Sequence, residues 1–208
     1  MSVPFDQTYA SEQLRRQRSP LRRAIKRFYL QSALSETRGP TIDLGCGAGQ
    51  LLEHLPPGSV GIEVNPVLAE DLLNRGLNVV LADPTAQGFG LREFAPSRYR
   101  SLIMSHVLEH FDNASEVLSA ILDEAAGLAL ERVVIIVPGW KGYLTDATHR
   151  TFVDRSMLVR CELTHHAGYS LVTERYFPIN TEAAGRWHPF NESVFVWQAD
   201  VTSRRPKA

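Results

Sequence analysis

The chain alternates between short apolar runs and longer segments in which apolar residues recur every three or four positions. Short apolar runs bounded by turn residues are typical of buried strands, and the longer periodic segments are typical of amphipathic helices. The pattern predicts a first strand that ends at about Asp43, and further strands over residues 59–65, 78–83, 99–105, 132–137, 170–177 and 193–199. It predicts helices over residues 50–55, 67–74, 114–130 and 154–166.

The ends of the later helices carry recognisable signals. Asn113 and Asp154 stand where helix-capping side chains are expected, and Gly168 is interpreted as the stop of the helix that Asp154 opens. Because strands and helices alternate, the chain is predicted to be an α/β protein with a doubly wound, mostly parallel sheet. At 208 residues it has room for one substantial core.

The most informative motif follows the first predicted strand. Residues 41–50 read Thr-Ile-Asp-Leu-Gly-Cys-Gly-Ala-Gly-Gln, so that Asp43 precedes glycines at every second position. Glycine permits positive φ and lets a ligand approach the backbone closely. A dinucleotide fingerprint would need glycine at position 50, where Gln50 stands, and this disfavours an NAD site.

This motif resembles motif I of the class I S-adenosylmethionine (SAM)-dependent methyltransferases. The next strands end in acidic residues at the expected spacing, Glu63 and Asp83. The resemblance implies that Glu63 binds the ribose hydroxyls and that Asp83 binds the adenine amine. It also implies a seven-stranded sheet of order 3-2-1-4-5-7-6 that the two late strands close as an antiparallel pair. The implied SAM-binding residues are Asp43, Gly45, Cys46, Gly47, Gly49, Glu63, Val64, Asp83, Pro84 and Ser105.

Polar residues after the fourth and fifth strands are the candidates for chemistry. His106, Glu109 and His110 follow the fourth strand, and Asp146 and His149 lie in the loop after the fifth. Both loops are expected at the carboxyl edge of the sheet, beside the ligand. His106, His149 or Glu109 would serve as the base that removes a proton from an acceptor hydroxyl. A structural role, with His110 packed under the adenine or capping a helix, is the alternative.

The same residues also suggest a metal site. His106-x-x-Glu109-His110 resembles the Glu-x-x-Glu-His motif of the ubiquinone-biosynthesis O-methyltransferases and the small-RNA 2′-O-methyltransferases, and departs from it at His106. The resemblance implies a divalent metal held by His106, Glu109, His110, Asp146 and His149. With a histidine in place of a carboxylate, Fe, Mn or Zn would suit the site better than Mg²⁺.

Two further segments are expected at the substrate. Trp140 and Tyr143 follow the fifth strand, and Arg186, Trp187 and His188 precede the last one. Arginine binds anionic groups and aromatic rings stack on rings. The expected activity is methyl transfer to an oxygen of a small molecule. RNA 2′-O-methylation and non-catalytic SAM binding by a regulatory protein are the alternatives.

Charge is distributed unevenly although the formal net charge is only −1. Seven of the 22 basic residues lie between Arg15 and Arg27. We predict an amphipathic basic helix over residues 1–30 that acts as a lid, a methyltransferase domain over 31–203 and a basic tail over 204–208. No apolar run approaches the roughly 20 residues that a membrane span needs. The sequence therefore predicts a cytoplasmic protein with reduced Cys46 and Cys161, a small-molecule acceptor, and nucleic acid only as the alternative partner.

Overall fold

The computed structural model describes residues 30–82 and 87–200. Eight strands form one sheet: β1 (Thr41–Leu44), β2 (Val60–Glu63), β3 (Val79–Leu81), β4 (Ser101–Ser105), β5 (Arg132–Pro138), β6 (His165–His166), β7 (Tyr169–Phe177) and β8 (Glu192–Ala199). Their order is β3-β2-β1-β4-β5-β8-β7-β6. Strands β1 to β5 pair in parallel, whereas β8 runs antiparallel to both β5 and β7.

The predicted sheet order is confirmed, because the predicted sixth and seventh strands are β7 and β8. Strand β6 is an addition that pairs with the outer edge of β7. The parallel strands β1, β2, β4 and β5 end at one edge of the sheet. The loops after them, which carry the candidate residues, therefore lie side by side.

The helices are short and several have side-chain caps. They are α1 (Pro66–Asn74), α2 (Ala114–Gly127), α3 (Trp140–Tyr143) and α4 (Arg155–Arg160), and residues 30–36 are also helical. Single 3-10 segments occur at Leu52–His54, Gln87–Glu93, Leu108–His110 and Glu182–Arg186. The predicted cap at Asp154 is confirmed, because its Oδ1 accepts a hydrogen bond of 2.7 Å from the N–H of Met157.

Alternate residues of the central strands enter two separate cores. Leu102 and Met104 of β4 pack in one core with Leu118 and Ile121 of α2. Ile103 between them packs in the other core, with Leu72 of α1. Because successive side chains of a strand point to opposite faces, helices cover both faces of the sheet.

The predicted helix over residues 154–166 is wrong in its second half. Helix α4 ends at Arg160, and His165 and His166 form strand β6. Ala167 and Gly168 have φ of +52° and +79°. Positive φ at both central residues is the signature of a tight hairpin turn, so Gly168 connects two strands rather than stopping a helix.

Two other local predictions need correction. The predicted helix over residues 50–55 is reduced to the 3-10 segment Leu52–His54, because Pro56 and Pro57 follow directly and disfavour helical geometry. Helix α2 ends at Gly127 rather than residue 130. Asn113 makes no capping bond, since its amide instead donates to the carboxylate of Glu116 at 3.0 Å.

Several predictions fall outside the described residues. The basic helix over residues 1–30 lies there except for its last position, as do Asp83, Pro84 and the basic tail. Within residues 30–82 and 87–200, no helix has the length and apolar character needed to cross a bilayer. Cys46 and Cys161 are free thiols, the first buried and the second exposed at the end of α4.

Candidate active site

Two glycines in the turn after β1 serve different purposes. Gly49 has φ of +78°, and a Cβ there would lie 2.3 Å from Cδ2 of Leu72 on α1. This glycine lets the turn pack against the helix. At Gly47, where φ is +54°, a Cβ would meet nothing within 4 Å. The space beside Gly47 is therefore open to a ligand, as expected of a binding turn.

Glu63 at the end of β2 closes this turn. Its carboxylate accepts hydrogen bonds from the backbone N–H groups of Gly47 (2.7 Å), Val64 (2.9 Å) and Asn65 (2.8 Å). Burial raises the pKa of Glu63, although these three hydrogen bonds oppose the shift. The carboxylate is thus fixed between the ends of β1 and β2, where the resemblance implies a ribose.

Asp43 lies behind the same turn. Its side chain is only 2 % exposed, and its Oδ2 has no hydrogen-bond partner among the described residues. Burial, and to a lesser extent the charge of Glu63, raises the pKa of Asp43 to about 7. A buried acceptor without a donor is uncommon in folded proteins, and a ligand that carries N–H groups would satisfy it. SAM, with its ammonium group and ribose hydroxyls, fits Asp43, Glu63 and the open side of Gly47.

The remaining residues predicted to bind SAM support the turn mainly through their backbones. The N–H groups of Gly45 and Cys46 donate to the carbonyl of Ile62, at 2.8 and 3.1 Å. A Cβ at Gly45 would lie 2.5 Å from Val107, so this glycine also serves packing. Burial raises the pKa of the Cys46 thiol far above its usual value, which makes it a poor nucleophile. Ser105 ends β4, beside Ile136 of β5.

His106 follows β4 in a left-handed conformation, with φ of +55°. Its Nε2 lies 2.9 Å from Oε1 of Glu192, and its Nδ1 lies 3.3 Å from Oε1 of Glu109. Burial alone would lower the pKa of His106, but the charge of Glu192, together with hydrogen bonds to both carboxylates and the charge of Glu109, raises it to about 10. His106 is therefore an imidazolium at neutral pH, with 40 % of its side chain exposed.

Glu192 is a site residue that the sequence analysis did not identify. It is the first residue of β8, and it pairs in register with Pro138 at the carboxyl end of β5. Its position could have been inferred from the sequence. Glu192 stands directly before the last apolar strand, and antiparallel pairing of that strand with β5 brings its first residue to the carboxyl end of β5.

Glu109, His110 and His149 form the densest cluster of possible metal ligands. One ligand atom from each lies within 4.8 Å of the others. Glu109 is fully buried, and in the described part of the chain neither carboxylate oxygen has a hydrogen-bond partner apart from the contact with His106. His149 Nε2 lies 3.8 Å from Oε1 of Glu109. Of the five residues predicted as metal ligands, Glu109, His110 and His149 thus lie close together, and the metal itself stays a prediction.

Backbone contacts orient the two histidines of this cluster. His149 Nδ1 lies 2.9 Å from the carbonyl oxygen of Tyr143, which can only accept, so Nδ1 donates this hydrogen bond and Nε2 is directed at Glu109. His110 Nδ1 lies 3.1 Å from Oγ1 of Thr148. This arrangement, with one ring nitrogen held and the other aimed inward, is typical of metal ligands.

Asp146 lies outside the cluster. Its Oδ1 accepts hydrogen bonds from the N–H of Thr148 at 2.9 Å and the hydroxyl of Thr148 at 2.6 Å. Partial burial would raise the pKa of Asp146, but these hydrogen bonds and the nearby histidines lower it. Asp146 shapes the loop that holds His149.

The predicted substrate residues separate into two groups. Trp140 and Arg186 line a cavity of about 600 Å³, and the start of α4 lines the same cavity. Tyr143 stacks between Trp140 and His149, at ring distances of 5.8 and 5.7 Å. Trp187 and His188 pack edge to face on the outer loop and do not line this cavity.

Solved structures of known methyltransferases share the fold of this chain. The fold matches a SAM-dependent methyltransferase from Archaeoglobus fulgidus at 19% identity and a TM-score of 0.65, covering 93% of this chain and 100% of the other. It matches the magnesium protoporphyrin IX methyltransferase ChlM of Synechocystis PCC 6803 with bound SAH at 15% identity and a TM-score of 0.60, covering 94% and 96%. The small RNA methyltransferase HEN1 matches at 17% identity and a TM-score of 0.55, covering 99% of this chain and 27% of that one.

The fold is therefore the class I, Rossmann-like fold of SAM-dependent methyltransferases. The family model of the methionine biosynthesis protein MetW matches residues 30–142, more than half of the chain. The chain belongs to the MetW family. A search of curated proteins found no match.

Proposed function

We propose that this protein is a SAM-dependent methyltransferase that acts on an oxygen of a small-molecule acceptor. The observation that carries the proposal is the cradle at the end of β1. It combines open space beside Gly47, a fixed Glu63 carboxylate and the unpartnered Oδ2 of the buried Asp43. The groups able to remove a proton lie along the same edge of the sheet, at the ends of β4 and β5.

We assign proton removal to His149. Its Nε2 lies 3.8 Å from Oε1 of Glu109, a carboxylate that would stabilise the imidazolium once the proton arrives. In the transfer, the acceptor O–H proton moves to Nε2 while the oxygen forms a bond to the methyl carbon. The carbon–sulfur bond of SAM breaks, its electron pair stays on sulfur and SAH leaves. His106 is already protonated, so its role is to hold Glu109 and Glu192 together.

The same cluster also fits a divalent metal. Glu109, His110 and His149 would be its ligands, because two imidazoles and one fully buried carboxylate converge there. This donor set suits Fe, Mn or Zn better than Mg²⁺. Such an ion would lower the pKa of an acceptor hydroxyl. His149 would then be a ligand rather than a base.

RNA 2′-O-methylation is the second candidate acceptor chemistry. The cluster of Glu109, His110 and His149 favours it, together with the structural likeness to the small RNA methyltransferase HEN1. This candidate predicts that oligonucleotide binding weakens steeply as salt concentration rises. A small-molecule acceptor predicts little dependence on salt.

Conversion of SAM to SAH in the presence of phenol, sugar and RNA pools tests the proposal. Glu63→Ala should lose SAM affinity, whereas His149→Ala should keep it and lose turnover. Metal analysis of the purified protein separates the two mechanisms. If the native protein holds metal and His149→Ala loses it, His149 is a ligand. If the native protein holds no metal and His149→Ala loses turnover, His149 is a base. Tight SAM binding without turnover in any pool would contradict the enzyme and favour a regulatory SAM-binding protein.

A further inference from the structure

The cavity beside α4 has the size of a small-molecule site. It measures about 600 Å³, within the usual range for ligand pockets. Its lining comes from four places: Trp140 after β5, Arg155 at the start of α4, Tyr176 and Phe195 on the sheet, and the 3-10 segment Glu182–Arg186. The function proposed above leaves the acceptor site unassigned, and these walls are the candidate for it.

Aromatic rings dominate the walls. Trp140 is 44% exposed, and Phe152 packs edge to face against it with ring centroids 5.0 Å apart. Phe195 is fully buried beneath the cavity, and Tyr176 stands near it on β7. A half-exposed indole that is fixed by another ring offers a face for stacking. These walls suit a ligand that contains a flat ring.

The charges of the lining are partly neutralised by each other. Arg155 donates to Glu174 at 2.7 Å, and the same carboxylate accepts from the hydroxyl of Tyr176 at 2.5 Å. Arg186 and Glu182 differ, because neither forms an ion pair with any residue in the described parts of the chain. They lie four positions apart in one 3-10 segment. The lining of the cavity therefore includes one cation and one anion that form no ion pair within the described residues.

The cavity is also connected to the proposed base. Trp140 lines it and stacks on Tyr143, and Tyr143 stacks on His149. A ligand ring on the cavity side of Trp140 would thus lie next to the loop that carries His149. Trp140 and Tyr143 thus join the cavity to the loop of His149, and this contact favours the cavity as the site of the methyl acceptor.

We propose that the cavity binds a ring-bearing zwitterion, an aromatic α-amino acid or a close derivative, as acceptor. Its carboxylate binds Arg186, its ammonium group binds Glu182 and its ring stacks on Trp140. The assignment as acceptor rests on the proposed function, whereas binding in the cavity does not. Arg186 and Glu182 thereby bind the two charged groups on the α-carbon of one ligand, and Trp140 binds the ring at its other end.

Calorimetry with L-tyrosine on the full-length protein saturated with SAH tests the proposal. The matched probes are 3-(4-hydroxyphenyl)propionate, which lacks the ammonium group, and tyramine, which lacks the carboxylate. L-tyrosine should bind about tenfold or more tightly than either, since each lost charge pair removes at least one charge-assisted hydrogen bond. Arg186→Gln should weaken L-tyrosine and the propionate but spare tyramine, and Glu182→Gln should weaken L-tyrosine and tyramine but spare the propionate.

Arg160→Gln is the matched control, because Arg160 is exposed at the end of α4 and does not line the cavity. SAH affinity, measured on every variant, verifies the fold. Absence of L-tyrosine binding while SAH binds normally would overturn this inference and leave the methyltransferase proposal intact. Equal binding of the three probes would overturn it as well. L-tyrosine binding in a protein that does not bind SAH would instead overturn the methyltransferase proposal alone.

Discussion

Alanine at Gly49 should mainly lower stability, and alanine at Gly47 should mainly lower the affinity for SAH. The two glycines nevertheless lie in one motif and both have positive φ. A left-handed alanine costs roughly 1 kcal/mol at either position. At Gly49 the added methyl also meets the side chain of Leu72, which is fully buried. Such overpacking costs about 1–3 kcal/mol more. We therefore expect Gly49→Ala to lower the free energy of unfolding by roughly 2–4 kcal/mol.

At Gly47 the methyl enters open space in the free protein, so Gly47→Ala should lose only about 1 kcal/mol of stability. It occupies the space assigned to SAM, however. If the clash with the ligand is comparable to overpacking in a core, the affinity for SAH should fall roughly 10- to 100-fold.

Urea unfolding and calorimetry with SAH measure the two quantities independently. Gly76→Ala is a suitable control, because Gly76 also has positive φ and open space around a Cβ but lies after α1, away from the turn. It should match Gly47→Ala in stability and the native protein in SAH affinity. If Gly47→Ala bound SAH as tightly as Gly76→Ala, the ligand would not lie beside Gly47, and the reasoning about this cradle would be refuted.

Three further predictions concern buried polar groups. Because the pKa of Asp43 is raised in the folded protein, folding favours its protonated form, and the native protein should lose stability as pH rises from about 4 to about 7. Asp43→Asn should remove this pH dependence, which amounts to roughly 4 kcal/mol at most in the free energy of unfolding. If that free energy changed with pH equally in both proteins across this interval, the prediction would be contradicted. Glu192→Gln should lower the pKa of His106 from about 10 towards its usual value, which NMR titration of the imidazole would measure. An unchanged pKa would show that Glu192 does not stabilise the imidazolium. Tyr169→Phe should lower the free energy of unfolding by about 1–2 kcal/mol, because the hydroxyl donates to the buried carbonyl of Leu130 at 2.6 Å. A denaturant titration that found no loss of stability would argue against this hydrogen bond.

The parts of the site that lie at strand ends could be predicted from the sequence. Asp43, Glu63 and His106 each follow an apolar run directly, and parallel strands bring their carboxyl ends to one edge. The structure places all three at that edge, and their roles in binding stay predictions.

Features that depend on non-local packing were not predicted. The contact between Gly49 and Leu72 joins two elements, and the pairing of His106 with Glu192 spans 86 positions. The hairpin at Ala167 and Gly168 was also misinterpreted, because glycine ends helices and forms tight turns equally well. Only the positive φ of Ala167 distinguishes the two cases.

The start of β8 has a consequence for engineering. Glu192 reaches His106, while its neighbours Asn191 and Ser193 line the cavity. One extended stretch thus supplies residues both to the contact with His106 and to the lining of the cavity. To alter acceptor preference by grafting the outer loop of a relative, residues 178–193 should therefore be replaced as one block. A junction inside that stretch would separate the new pocket from the Glu192 carboxylate, which binds His106.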